Sequence, residues 1–206
     1  MAFSLVTGPS TEPISVDEAR LELRIDTNAD NAAISRYISA ARQEFEAITG
    51  VALITQAWKL SLDHWPSAKA DQWWDGVRDG AISMFAGPYV EVNKGPVQSI
   101  TSITTYNQDG AGSIWSSSSY QLDSASRPAR IAPVSGQAWP TATRALNAIE
   151  IQFVAGYGDL STDVPFDIRQ ALLSLVGDLY EHRGDVEGGV AAYAARAFAR
   201  YRDIRI

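Results

Sequence analysis

Apolar positions along the chain change period twice, and the changes divide it into three stretches. At the start, Ser15-Val16-Asp17-Glu18 reads as a capping box, in which the Ser15 hydroxyl accepts from the third helical N–H and Glu18 reaches back. Val16, Ala19 and Leu23 follow, predicting a short helix over about 15–24. Ile34, Tyr37, Ile38, Ala41, Phe45 and Ile48 then recur at steps of three and four, with Gly50 where a left-handed cap belongs. That spacing predicts a second helix over about 30–49.

From about 52 to 155 the period falls to two, and Gly, Pro, Ser and Asn punctuate short runs. Trp58, Leu60 and Leu62 alternate with Lys59, Ser61 and Asp63, and Ile149, Ile151 and Phe153 alternate with Glu150 and Gln152. Ile100 to Tyr106, Asn107 to Gly112 and Ile114 to Leu122 read as a hairpin with a long turn. Helical spacing returns after Asp163-Val164-Pro165 with Ile168, Leu172, Leu175, Val176 and Leu179, predicting a helix over about 164–183. A weaker, Ala-rich helix over about 190–203 follows the Gly184–Gly189 break. The expected fold is α+β: one domain over 1–206 with a mainly helical core of about four helices and a β-rich insertion between the second and third.

Composition narrows the function classes. The chain has 206 residues, 46% apolar and 20% charged, with 17 Lys and Arg against 24 Asp and Glu, a formal net charge of −7. A chain of this size can bury about 70% of its unfolded surface, so a sizeable core is available. The absence of cysteine excludes disulfides, thiol nucleophiles and thiolate metal sites. The opening residues lack a basic, apolar leader, and no apolar run approaches the length of a membrane helix, so neither export by that route nor a membrane partner is expected. The acidic balance argues against autonomous duplex binding, which needs Lys and Arg on phosphates. It does not exclude lining a passage for DNA. The C-terminal stretch runs the other way, with Arg196, Arg200, Arg202 and Arg205 against Asp203, a net +3.

Chemistry-bearing motifs are sparse, and no catalytic, cofactor-binding or metal-binding residues are expected. His64 and His182 stand outside any motif, and His182 at a helix end suits the dipole there. G-x-S-x-G, HExxH, Walker A and dinucleotide glycine patterns are missing. Asp71 to Gly76 starts like a calcium loop but has Trp73 at the third place and Ile82 at the twelfth, so ligands are missing. Trp73, Trp74, Met84 and Phe85 cluster in a polar, Gly-rich stretch. Three readings remain open for them: a satellite cluster on the same subunit, an interface anchor, or a sugar-stacking platform.

The order of elements resembles the head-tail connector, or adaptor, proteins of long-tailed double-stranded DNA phages and gene transfer agents. The residues carrying the resemblance run from Pro13-Ile14-Ser15-Val16-Asp17-Glu18-Ala19-Arg20 through Thr49-Gly50 and Leu53-Ile54-Thr55-Gln56-Ala57-Trp58. They continue in Gly95-Pro96-Val97, Arg127-Pro128-Ala129-Arg130-Ile131, Trp139-Pro140, Phe153-Val154-Ala155-Gly156-Tyr157-Gly158 and Val164-Pro165.

The resemblance implies a structural protein without enzymatic activity or cofactors, located at the head-tail joint of a particle assembled in the bacterial cytoplasm. It implies a twelve-fold ring of this chain beneath the portal protein, joined to the stopper and tail and leaving a channel through which double-stranded DNA passes unbound. It also implies that the C-terminal segment reaches the portal, making Tyr193, Phe198, Arg200, Tyr201, Arg202 and Ile204 contact candidates. The alternative for that segment is an ordinary fourth helix on its own bundle. Residues 67–87 depart from the family by their length, and Trp73, Trp74, Met84 and Phe85 there are candidates for stopper or neighbour-subunit contact. A carbohydrate- or ligand-binding module using the Trp-rich region is the runner-up function, and a hydrolase dependent on His64 or His182 comes third.

Overall fold

A computed structural model describes residues 2–66, 89–182 and 198–202. Residues 67–87, expected as a loop insertion, with their candidates Trp73, Trp74, Met84 and Phe85, and the helix expected over 190–203, up to residue 197, lie outside the described residues, as do Tyr193 and Ile204. The chain divides into two compact units, one of residues 1–6, 57–93 and 97–154, the other of 7–56, 94–96 and 155–206.

The second of these is helical. Helix α1 (Val16–Leu23) starts at the capping box: Glu18 N–H donates to Ser15 Oγ at 3.1 Å and Ser15 N–H to Glu18 Oε2 at 3.0 Å. Arg24, left-handed at φ 55°, ends it. Helix α2 (Asn31–Thr49) buries Ile34, Ile38, Ala41 and Phe45 along one stripe, and Gly50 at φ 73° closes it. Helix α3 (Phe166–Glu181) buries Ile168, Ala171, Leu172, Leu175 and Val176. A further helical turn at 198–201 places Phe198 edge-on against Phe45, ring centroids 4.9 Å apart. Among the described residues no helix is long and apolar enough to cross a membrane.

Backbone contacts close this unit where the connecting segments meet. Ala52 N–H donates to Gly95 O, Gly156 N–H to Pro96 O, Tyr157 N–H to Leu53 O and Thr55 N–H to Gly158 O. Gly156 at φ 144° is required there, because a Cβ would lie 2.6 Å from the Ile54 carbonyl carbon and from Thr55 N. Buried Glu46 ties α2 to the same segment, accepting from Leu53 N–H at 3.0 Å, Gln56 Nε2 at 2.6 Å and Arg42 at 3.2 Å. Glu12 takes the other side of the Arg42 guanidinium at 2.8 Å. Lys94 donates to the Glu46 carbonyl at 3.3 Å, and burial pushes its ammonium pKa down.

The other unit is built of strands. A five-stranded sheet has the order β1-β2-β8-β4-β5, from β1 (Ala2–Thr7), β2 (Gln56–Leu62), β8 (Ile149–Ala155), β4 (Val97–Tyr106) and β5 (Gly112–Trp115). A three-stranded antiparallel sheet has β7 (Ala129–Pro133) between β3 (Val90–Val92) and β6 (Tyr120–Asp123). The β4–β5 hairpin turns on Gly110 at φ 81°, with Ala111 N–H donating to Asn107 Oδ1 at 2.8 Å.

These sheets overturn the expected fold class of a mainly helical core with a β-rich insertion between the second and third helices. Helices are not the dominant core: Leu60, Val90, Val92, Ile103, Ile131, Ile149, Ile151 and Phe153 are buried residues of the β unit itself. Nor are its strands confined to the expected insertion, since β1 precedes α1. Alternating strands have one apolar face each, and sheets satisfy such faces without a helical scaffold. Ile114 to Leu122 is likewise not one strand. Ser116 Oγ accepts from Ser118 N–H and opens a 3-10 turn at Ser117–Ser119, after which the chain joins the other sheet.

Candidate assembly interface

In the β unit, residues far apart in sequence gather into an aromatic shelf. Trp65 follows β2, Trp115 ends β5, Tyr120 starts β6 and Trp139 lies in the segment after β7. The Trp65 and Trp139 rings stack 4.1 Å apart at 19°, Trp115 lies 5.5 Å from Trp139, and Tyr120 lies 5.3 Å from Trp115. Trp65 Nε1 donates to Pro140 O at 2.7 Å, fixing the stack to the backbone. All four rings are half-buried.

Beside the shelf runs a groove of about 770 Å³, lined by Tyr89, Gln121, Asp123, Arg130, Gln137 and Trp139 among others. Strand register sets its floor: Asp123 pairs with Arg130 and Gln121 with Ala132, so alternation brings these four to one face of the small sheet. Asp123 accepts from Ser126 Oγ at 2.7 Å and from Arg130 Nη2 at 2.6 Å. Those bonds, Ser126 first and Arg130 next, hold the Asp123 carboxyl at about 2, below its ordinary 3.8. The Arg130 guanidinium also sits 5.4 Å from the centre of the Tyr89 ring. An exposed pair of this kind orders the surface more than it stabilises the fold.

The C-terminal candidates separate by burial. Phe198 is 1% exposed and Tyr201 is half-buried, its hydroxyl donating to Asp167 at 2.6 Å and its ring 6.1 Å from Phe45. Arg200 and Arg202 are exposed. His64 is exposed after β2, and His182 lies 3.2 Å from Asp178 at the end of α3, also exposed. Among the described residues no group of His, Asp and Glu could hold a metal ion.

The shelf was missed in the sequence because Trp65, Trp115 and Trp139 share no period and come from separate elements. One signal was available: Trp65-Pro66 and Trp139-Pro140 repeat a Trp-Pro pair, and the Pro140 carbonyl is the acceptor for the Trp65 indole.

The chain belongs to the phage gp6-like head-tail connector protein family, whose model matches residues 13–120, more than half of its length. In fold it is similar to a chain from the neck of an empty gene transfer agent (GTA) particle computed with C6 symmetry, at 25% identity and TM-score 0.78. Two further likenesses, to chains from the virion of a native GTA particle (23%, TM-score 0.76) and from the neck of a native GTA particle computed with C12 symmetry (24%, TM-score 0.72), show the fold alone. Each alignment covers 100% of this chain and 97% of the other. No curated protein sequence is significantly similar.

Proposed function

We propose that this chain is a structural connector at the head-tail joint of a tailed phage or phage-like particle, forming a twelve-subunit ring between portal and stopper and leaving a passage for DNA. The observation that carries the reading is the family match over residues 13–120 together with the full-length likeness to a GTA neck chain. The C12 symmetry of the neck containing a second similar chain supports the subunit number. A net charge of −7 suits a wall along which DNA slides without sticking.

Of the C-terminal candidates, the exposed Arg200 and Arg202 can reach the portal without unpacking the core, whereas Phe198 is held against Phe45. Trp73, Trp74, Met84 and Phe85 are proposed contacts to the stopper or a neighbouring subunit. Ring formation and stopper binding unchanged by Trp73→Ala with Trp74→Ala would remove that role. The glycan-binding alternative is not favoured by the shelf, since Trp65 and Trp139 spend ring faces on each other.

Deleting the gene in a producing strain and imaging the particles tests the function. Filled or leaking heads without tails are expected. Normal tailed particles would overturn the connector reading.

A further inference from the structure

Among the described residues the five-stranded sheet ends at β1 on one side and β5 on the other. An edge strand presents a row of N–H and C=O groups to any passing strand, and soluble proteins blunt such edges with lysine, proline, bulges or short length. The small sheet follows that rule: β3 is three residues long and carries Glu91, and β6 carries Asp123. The large sheet does not. β1 is Ala2-Phe3-Ser4-Leu5-Val6-Thr7, without charge or proline, and only Phe3 is not exposed. Leu5 is 50% and Val6 53% exposed, and adjacent residues point to opposite faces, so both faces are open at that end.

β5 is equally bare. Gly112-Ser113-Ile114-Trp115 has no charge, and Ile114 is 74% exposed. The phase of the hairpin fixes what β5 turns outward. Asn107 N–H donates to Ala111 O at 3.1 Å, and Tyr106 lies opposite Gly112. Ladder alternation then makes Thr105–Ser113 and Ile103–Trp115 the hydrogen-bonded pairs. The N–H and C=O of Ile114 point away from β4, toward the open edge.

We propose that β1 of one copy pairs with β5 of the next, carrying the five-stranded sheet across the joint between neighbouring subunits through main-chain hydrogen bonds. The occupant of each edge is a second copy of this chain because the two uncharged, exposed edge strands are opposite ends of one sheet among the described residues. A head-to-tail contact that closes into a ring needs two different complementary surfaces on every subunit. A foreign strand would need one edge and leave the other bare. Main-chain pairing supplies the complementarity, and Ile114 with Leu5 or Val6 supplies a cross-strand apolar contact. The inference rests on the ring reading above and names its joint.

The chain has no cysteine of its own, so an introduced pair reports one contact. Ile114→Cys is combined in turn with Ala2→Cys, Ser4→Cys, Leu5→Cys, Val6→Cys or Thr7→Cys, and particles from a producing strain are oxidised and run on a non-reducing gel. Opposed strand residues lie within disulfide reach. At least one pair is expected to give a ladder of covalent multimers, while each single variant stops at the dimer. Particles that contain the chain but yield no ladder from any pair would overturn the joint and leave the connector role standing. Particles that lack the wild-type chain would overturn the connector role and the joint with it. As a second readout, Ile114→Lys places a charge on the exposed edge. It is expected to leave the thermal midpoint of the purified chain within about 3 °C and to cut incorporation into particles at least tenfold, and undiminished incorporation would overturn the joint.

Discussion

The two units use their aromatic residues in opposite ways. In the helical unit Phe45 is fully buried, with Phe198 at 4.9 Å and Tyr201 at 6.1 Å, on the same helix that carries the saturated Arg42–Glu46 pair. In the β unit Trp65, Trp115 and Trp139 pack on one another and stay half-exposed, beside the groove of Asp123 and Arg130, with Trp115 on the uncharged edge strand β5. Aromatic area closed within a core contributes to folding. Aromatic area left half-open stabilises little until another chain covers it, so the helical unit is where truncation should cost stability and the β unit where it should cost assembly.

The largest break of that comparison comes from the helical side. Phe45→Ala is expected to cost about 3–5 kcal/mol in urea unfolding, as a core truncation that also releases Phe198. A loss below about 1 kcal/mol would refute its core role. Gly156→Ala should cost about 3 kcal/mol, combining a left-handed φ with a Cβ forced onto the Ile54 carbonyl. Thermal or urea unfolding measures it, and a variant as stable as the parent would mean that the 52–56 and 155–158 segments do not meet as described.

Smaller effects probe the β side. A double-mutant cycle on Trp65→Ala and Trp139→Ala should give a coupling of about 0.5–1.5 kcal/mol, the worth of a stacked pair beyond its buried area. Additive losses would mean that the stack is not formed in solution. The smallest effect is a titration. Asp123 is held at about 2 by Ser126 and Arg130, so its ionised form is favoured in the folded chain. Its contribution is present above the ordinary carboxylate value and is lost as pH falls through about 2. Arg130→Ala should move the NMR midpoint of the Asp123 carboxyl up toward 3.8, and an unmoved midpoint would show that Ser126 alone holds it.

Local chemistry was legible in the residues. The Ser15–Glu18 box, the Ile34-to-Phe45 stripe and the glycine after Thr49 each express a rule confined to a few neighbouring residues, and each is present in the structure. The strand at Ile149 to Phe153 could be read for the same reason. The two sheets could not. Alternation shows that a strand has an apolar face and leaves open which strand lies beside it, so Ile114 to Leu122 read as one strand of a hairpin where the chain in fact changes sheets at Ser116. β1 was not legible because only Phe3 of its six residues is partly buried, edge-on to Phe153, and one such position sets no period.

Spacing along the chain was enough to place α1, α2 and α3 and to pick out the stripe of α2, because each depends on residues a few positions apart. The ordered motifs from Pro13 to Pro165 carried a resemblance to the connector family, which the family match over residues 13–120 then showed. Contacts across the fold make the β region a unit with its own buried residues, bring three tryptophans separated by up to 74 positions onto one shelf, and turn Phe198 to Phe45 while Arg200 faces solvent. Strand order and burial come from contacts between residues distant in sequence, and hydrophobic attraction carries no address that periodicity can record.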